Sequence, residues 1–267
     1  MSTPAQSAAE IVKARNSLGV AETAVLLGRN FYTVADVAEN EIVFPYSELP
    51  GFPRAPGVED GALILCTVDS VPTIFLKGRT NFFETGDPSL MSTPIETLAL
   101  LGVRSILTAS FAQSVRADIV PSSVVAVTDH INFNGFNPLV GAAGDKNCAN
   151  MNEAYDKRLL RRLKQAAGAG GVTLHEGVLM WFSGPTFETP AEVKMARMLG
   201  ADILGWSIAP EAILARRFGI PLAGVAVITD FGAGFSSGAP NADATRGPAV
   251  AGMIAVKRLA RAFVRAR

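Results

Sequence analysis

Between Gly177 and Asp230, apolar and polar positions fall into blocks whose lengths predict a β-α-β-α-β unit. Val178–Ser183 (VLMWFS) is an apolar run of strand length, suited to a strand covered on both faces. Gly184-Pro185 breaks it. Thr189-Pro190-Ala191-Glu192 then reads as a helix start, with threonine as cap, proline at the first helical position and glutamate closing a capping box. The helix places Val193, Ala196 and Leu199 on one face, and Gly200 stops it. Ile203–Trp206 is the next strand, residues 207–211 open a helix ending at Gly219, and Leu222–Thr229 is a third strand finishing at Asp230. Such a unit builds a largely parallel sheet. Glu188, Ser207 and Asp230 each fall just past a strand's C-terminal end, where open α/β sheets take ligands. The competing reading makes Glu188 and Ser207 parts of helix starts and Asp230 the beginning of a turn.

The flanking pattern extends this architecture. Ser7–Asn16 has helical spacing with Gly19 as its stop, and Thr23–Leu27 is a buried strand followed by Gly28-Arg29-Asn30. A backbone turn and a guanidinium at that point suit an anion, and an ordinary loop arginine fits equally. Phe44–Gly57 holds four prolines and is a loop or an edge segment. Ala62–Val68 and Thr73–Leu76 are strands around a turn, Ser92–Leu101 is a helix, and Ser105–Ala109 and Pro121–Thr128 are strands. Asn132–Asn150, rich in Gly, Asn and Ala, is a loop placed to act as a lid or a subunit contact. Asn152–Ala167 is an amphipathic helix whose basic run reads as a solvated face, and Pro248–Ala266 is a closing helix. No repeat or linker interrupts the chain. The expectation is one α/β domain over residues 1–267, with a mixed, largely parallel central sheet flanked by helices.

Composition narrows the function. The 267 residues are 49% hydrophobic and 18% charged, so the chain can bury an ample core. Lys plus Arg equal Asp plus Glu at 24 each, without the basic excess of a nucleic-acid binder. Two separated cysteines, Cys66 and Cys148, suggest neither a disulfide framework nor a zinc site, and two histidines argue against a metal centre. Cys66, inside an apolar run, reads as core. No apolar run reaches membrane-spanning length, and residues 1–20 do not read as a signal peptide. A cytoplasmic protein without metal or membrane partner is expected.

The runs GPTFETPAE (184–192), MLGADILGWSIAPEAILARRFGI (198–220) and VITD (227–230) make the match specific. Gly78-Arg79 with Glu84, Asp129-His130-Ile131-Asn132, Gly135-Phe136, Asn137-Pro138-Leu139, Met151 and Ala154-Tyr155-Asp156 follow in the same order. Together they resemble the trimeric purine nucleoside phosphorylases, including the methylthioadenosine phosphorylase branch, over roughly residues 20–265. The resemblance implies a homotrimer with a site near each subunit interface. It also implies phosphate attack at C1′ of a purine nucleoside, releasing base and ribose 1-phosphate, with inorganic phosphate as co-substrate and no cofactor. Glu188 matches the base-binding glutamate and Phe187 the residue packed on the purine. Trp206 takes a position usually held by methionine against ribose and base. Ser207 and Arg79 match phosphate ligands. Asp230 stands where 6-oxopurine enzymes carry asparagine and the methylthioadenosine branch carries aspartate. A protonated aspartate there would donate to purine N7 and its ionised form would accept from a 6-amino group, whereas Glu188 suits the N1–H of a 6-oxopurine, so base preference stays open.

The departures from the family pattern lie at the phosphate end. A glycine-serine-glycine loop is Gly28-Arg29-Asn30-Phe31 here, a histidine is Asn81, and a tyrosine is Phe83. The usual glycine-rich turn is Ala109-Ser110-Phe111-Ala112-Gln113. The histidine that contacts the sugar 5′ position aligns with Thr245, and the lid near Asn147-Cys148 lacks its aromatic. Arg29, Arg79 and Ser110 are expected to rebuild an anion site. The alternatives are that Phe111 and Gln113 fill the phosphate pocket, leaving a nucleosidase that uses water, or a nucleoside-binding protein without turnover.

Overall fold

The computed structural model describes residues 2–54, 61–141, 148–235 and 242–266, without the side chains of Arg29 and of 242–244. Among these residues nine strands form one mixed sheet: β1 (Thr23–Leu27), β2 (Glu39–Pro45), β3 (Ala62–Val68), β4 (Val71–Lys77), β5 (Ser105–Ser114), β6 (Val124–Asn132), β7 (Leu174–Trp181), β8 (Ile203–Gly205) and β9 (Leu222–Phe231). Their order is β2-β3-β4-β1-β5-β8-β7-β6-β9, with a further pairing of β5 to β9. That pairing closes β5, β8, β7, β6 and β9 on themselves, while β1 to β4 continue as an open wing. β1 is parallel to β4 and β5, β5 to β9, and β7 to both β6 and β8. The β2–β3, β3–β4, β5–β8 and β6–β9 pairs are antiparallel.

Helices cover both faces: α1 (Pro4–Arg15), α2 (Phe82–Thr85), α3 (Ser92–Leu100), α4 (Lys157–Gly170), α5 (Pro190–Met198), α6 (Ala209–Arg217) and α7 (Ala242–Arg265). The double cover explains the unbroken apolar strands. Along β1, Ala24 and Leu26 enter one buried cluster, while Val25 and Leu27 enter another on the opposite face. Cys66 sits inside β3, and burial pushes its thiol up to about 12, consistent with a core residue.

Several boundaries differ from the sequence pattern. Helix α1 starts at Pro4 because Thr3 and Gln6 form the same reciprocal capping box that Thr189 and Glu192 form on α5. Helix α4 starts late, since the Asp156 side chain accepts the amides of Arg158 and Leu159. Helix α7 runs through Pro248 from Ala242. Strand β2 holds the sheet edge, where Pro45 loses no ladder hydrogen bond. Strand β5 does not end at Ala109. With alanine, serine and phenylalanine in place of small flexible residues, the backbone continues as strand to Ser114, paired to β9 throughout.

Candidate active site

A cleft of about 1020 Å³ opens along the C-terminal half of β5. Arg79, Ser110, Phe187, Glu188, Trp206, Ser207, Asp230 and Thr245 all line it. Arg29 opens the 3-10 turn after β1, and its side chain lies outside the described residues. The 142–147 part of the expected lid and residues 236–241 of the loop after β9 also lie outside them.

The convergence does not come from three adjacent strands, as the sequence pattern suggests. β8 and β9 are not neighbours, and β5 stands between them. Across the antiparallel β5–β8 pair, Gln113 faces Leu204. The same register continued backward brings Ser110 to Ser207, with their hydroxyls 3.1 Å apart. Across the β5–β9 pair the register slips after Ala112, so that Gln113 faces Asp230. The bulge leaves Thr229 as the extra residue and gives Asp230 the pleat position that Thr229 would otherwise hold. Both ends of the site are therefore hung on β5.

At one end, Glu188 sits in the loop between β7 and α5, buried beside Trp206, whose Nε1 donates to Glu188 Oε1 at 3.1 Å. Burial holds the Glu188 carboxyl above its ordinary range, with Glu192 and Asp230 adding to the rise. Its own backbone amide and the Trp206 indole pull the other way. Trp206 also packs on Phe187 (centroids 5.1 Å) and on Phe83 (5.6 Å). Gly184, at φ 67°, permits this packing, because a Cβ there would meet both Phe83 and Trp206 at 3.0 Å. Asp230 accepts from Gln113 Nε2 at 2.7 Å and from the Thr229 hydroxyl at 2.6 Å.

At the other end, Ser207 Oγ donates to Asn81 Oδ1 at 3.0 Å and meets Ser110, giving a row of three polar side chains. Ile208, directly after Ser207, has φ 77°. A β-branched residue in that region stores strain of about 1–3 kcal/mol, a feature that concentrates at functional turns. Arg79 is buried and held within the protein. Its Nε lies 2.8 Å from Glu211 Oε1 at ion-pair distance, and its Nη2 donates to Thr108 Oγ1 and the Ala109 carbonyl. Glu211 reads in the sequence only as part of a helix start. Phe111 packs on Phe31 with centroids 4.6 Å apart, and Gln113 is taken by Asp230, so the two residues are directed to different partners. Among the described residues, no three His, Cys, Asp or Glu side chains gather to hold a metal ion.

The arrangement offers carboxylates and an aromatic wall at one end and hydroxyls at the other. Residues 22–265 match the family model of the phosphorylase superfamily. Purine nucleoside phosphorylase 1 of Geobacillus stearothermophilus is 34% identical over 79% of this chain and 78% of its own. Purine nucleoside phosphorylase of Mycobacterium leprae is 34% identical over 87% of this chain and 84% of its own. The crystal structure of Schistosoma mansoni purine nucleoside phosphorylase in complex with inosine superposes with a TM-score of 0.89 at 26% identity, covering 98% and 95% of the two chains.

Proposed function

The chain belongs to the phosphorylase superfamily, among its purine nucleoside phosphorylases, and we propose that it is a pentosyltransferase cleaving a purine nucleoside with inorganic phosphate. A phosphate oxygen bonds to C1′ as the bond from C1′ to the purine nitrogen breaks. The electron pair leaves with the base, which gains a proton as monohydrogen phosphate loses one, and the products are free purine and a pentose 1-phosphate. The observation that carries this reading is one cleft with a carboxylate and aromatic end facing a hydroxyl-lined end across β5.

In this reading Glu188 and Asp230 are the catalytic pair that stabilises the departing base, and Phe187 and Trp206 form the wall that holds it flat. Ser110, Ser207 and Arg79 bind phosphate, joined by Arg29, while Thr245 lies toward the sugar. Phosphate is a co-substrate, and no cofactor enters the scheme.

The test is base release from inosine, guanosine, adenosine and methylthioadenosine, each with and without phosphate. Phosphate-dependent release supports the proposal. A second reading, a nucleosidase using water, draws on the engagement of Arg79 by Glu211, Thr108 and Ala109, and it requires release that phosphate does not accelerate.

A homotrimer is part of the proposal. Phe133, Phe136 and Val140, at 62%, 41% and 78% exposure, give an apolar surface for a second copy to cover. Light scattering at micromolar concentration should give three times the chain mass. No helix among the described residues is long and apolar enough to cross a membrane, and free cysteines suit the proposed cytoplasmic setting.

A further inference from the structure

Gln113 lies on β5 in the lining of the cleft. It is 5% exposed, and its Oε1 is sealed from solvent without a hydrogen-bond partner among the described residues. An orphaned buried acceptor is costly, so a glutamine retained for stability alone would be expected to have its carbonyl satisfied. What Gln113 does engage is Asp230, through Nε2 at 2.7 Å, across the bulge that makes the two residues partners. A carboxylate only accepts, so the amide must turn its NH2 to Asp230 and its carbonyl away. Thr229 approaches the other oxygen at 2.6 Å. Both oxygens of Asp230 thus receive hydrogen bonds, and their remaining lone pairs are left as acceptors on the cleft.

Resting on the phosphorylase reading, we infer that Gln113 is a positioning residue that holds Asp230 as an acceptor and so selects a 6-aminopurine over a 6-oxopurine. An aminopurine offers an N–H donor beside a ring-nitrogen acceptor, whereas an oxopurine offers the reverse pair. An acceptor at Asp230 suits the first. Glu188 completes the match: burial favours its protonated form, which donates to a ring nitrogen. A site built from such groups rejects the analogue with donor and acceptor exchanged, because its buried polar atoms are then left unpaired.

The experiment titrates adenine and hypoxanthine calorimetrically into the wild-type protein and into Gln113→Leu, with thermal melting as the control for folding. Adenine should bind wild type at least ~10-fold more tightly than hypoxanthine, and Gln113→Leu should bring the two within ~3-fold, chiefly by weakening adenine. Equal affinities, or tighter hypoxanthine binding, in wild type would overturn the inference. So would a Gln113→Leu variant that weakens both bases equally, the result of a merely structural role. If Gln113→Leu does not fold, Gln113→Met is held to the same criteria. Phosphate-dependent release from adenosine and inosine separates the two layers. Adenine selectivity that the Gln113 variant removes, without phosphate-dependent release, supports the role of Gln113 while removing the phosphorylase reading, and failure to bind either base removes both.

Discussion

The Trp206 indole donates to the buried Glu188 carboxyl at 3.1 Å, while the same ring packs on Phe83 and Phe187. One side chain thus builds the wall of the cleft and tempers the acid behind it. Trp206→Phe keeps an aromatic surface and removes the donor. Base release should fall about 10-fold, the scale of one lost buried hydrogen bond. The limb of the pH–rate profile that reports Glu188 should move to higher pH, because the indole is one of the groups holding its carboxyl down.

Glu188 itself links activity to stability. Its carboxyl is raised above the ordinary value of 4.5 by burial, so across that window the folded chain binds more protons than the unfolded chain. Stability therefore falls as pH rises from the ordinary carboxylate range through the raised value. Glu188→Gln removes this dependence. Its melting temperature should exceed that of wild type near neutral pH, the difference should vanish below about pH 4, and base release should be lost. Paired melting curves across pH test the sign.

Arg79 and Glu211 are a buried ion pair, with side-chain exposures of 2% and 3%. Arg79→Met strands the Glu211 carboxylate and should cost about 3–5 kcal/mol of unfolding free energy. Glu211→Leu added to it should recover much of that loss, since an apolar pair of similar volume removes the uncompensated charge. Denaturant unfolding of the single and double variants measures both.

Ser207 and Ser110 share one hydrogen bond at the hydroxyl end of the cleft. Ser207→Ala should raise the KM for phosphate about 10-fold while changing the KM for nucleoside less than about 3-fold. Steady-state kinetics with each substrate varied in turn would show it, and equal effects on both would place Ser207 outside the phosphate end.

Gly252 marks where α7 meets β9, and a Cβ there would run into the Val227 side chain. Gly252→Ala forces the helix off the sheet and should destabilise the fold by about 1–3 kcal/mol. Because α7 carries Thr245, base release should decline as well. Val227→Ala should restore part of the stability in the double variant, read from denaturant midpoints.

The sequence by itself determined what is settled over a few residues of chain. Thr189 and Glu192 cap a helix, Leu222–Thr229 forms a buried strand, and the runs around Glu188, Ser207 and Asp230 specify the family. Caps and apolar runs are local physics, with both partners of each interaction close together in the chain. Tertiary structure decided the rest. Residues 109–113 read as a turn until β9, more than 110 residues later, supplies their ladder partners. The sequence shows no partner for Arg79 until the fold brings Glu211 to 2.8 Å, and Gln113 reads as a filler until the bulge sets it against Asp230. A side chain's role in such a cleft depends on which groups remain for it once distant strands have paired, and no local pattern carries that information.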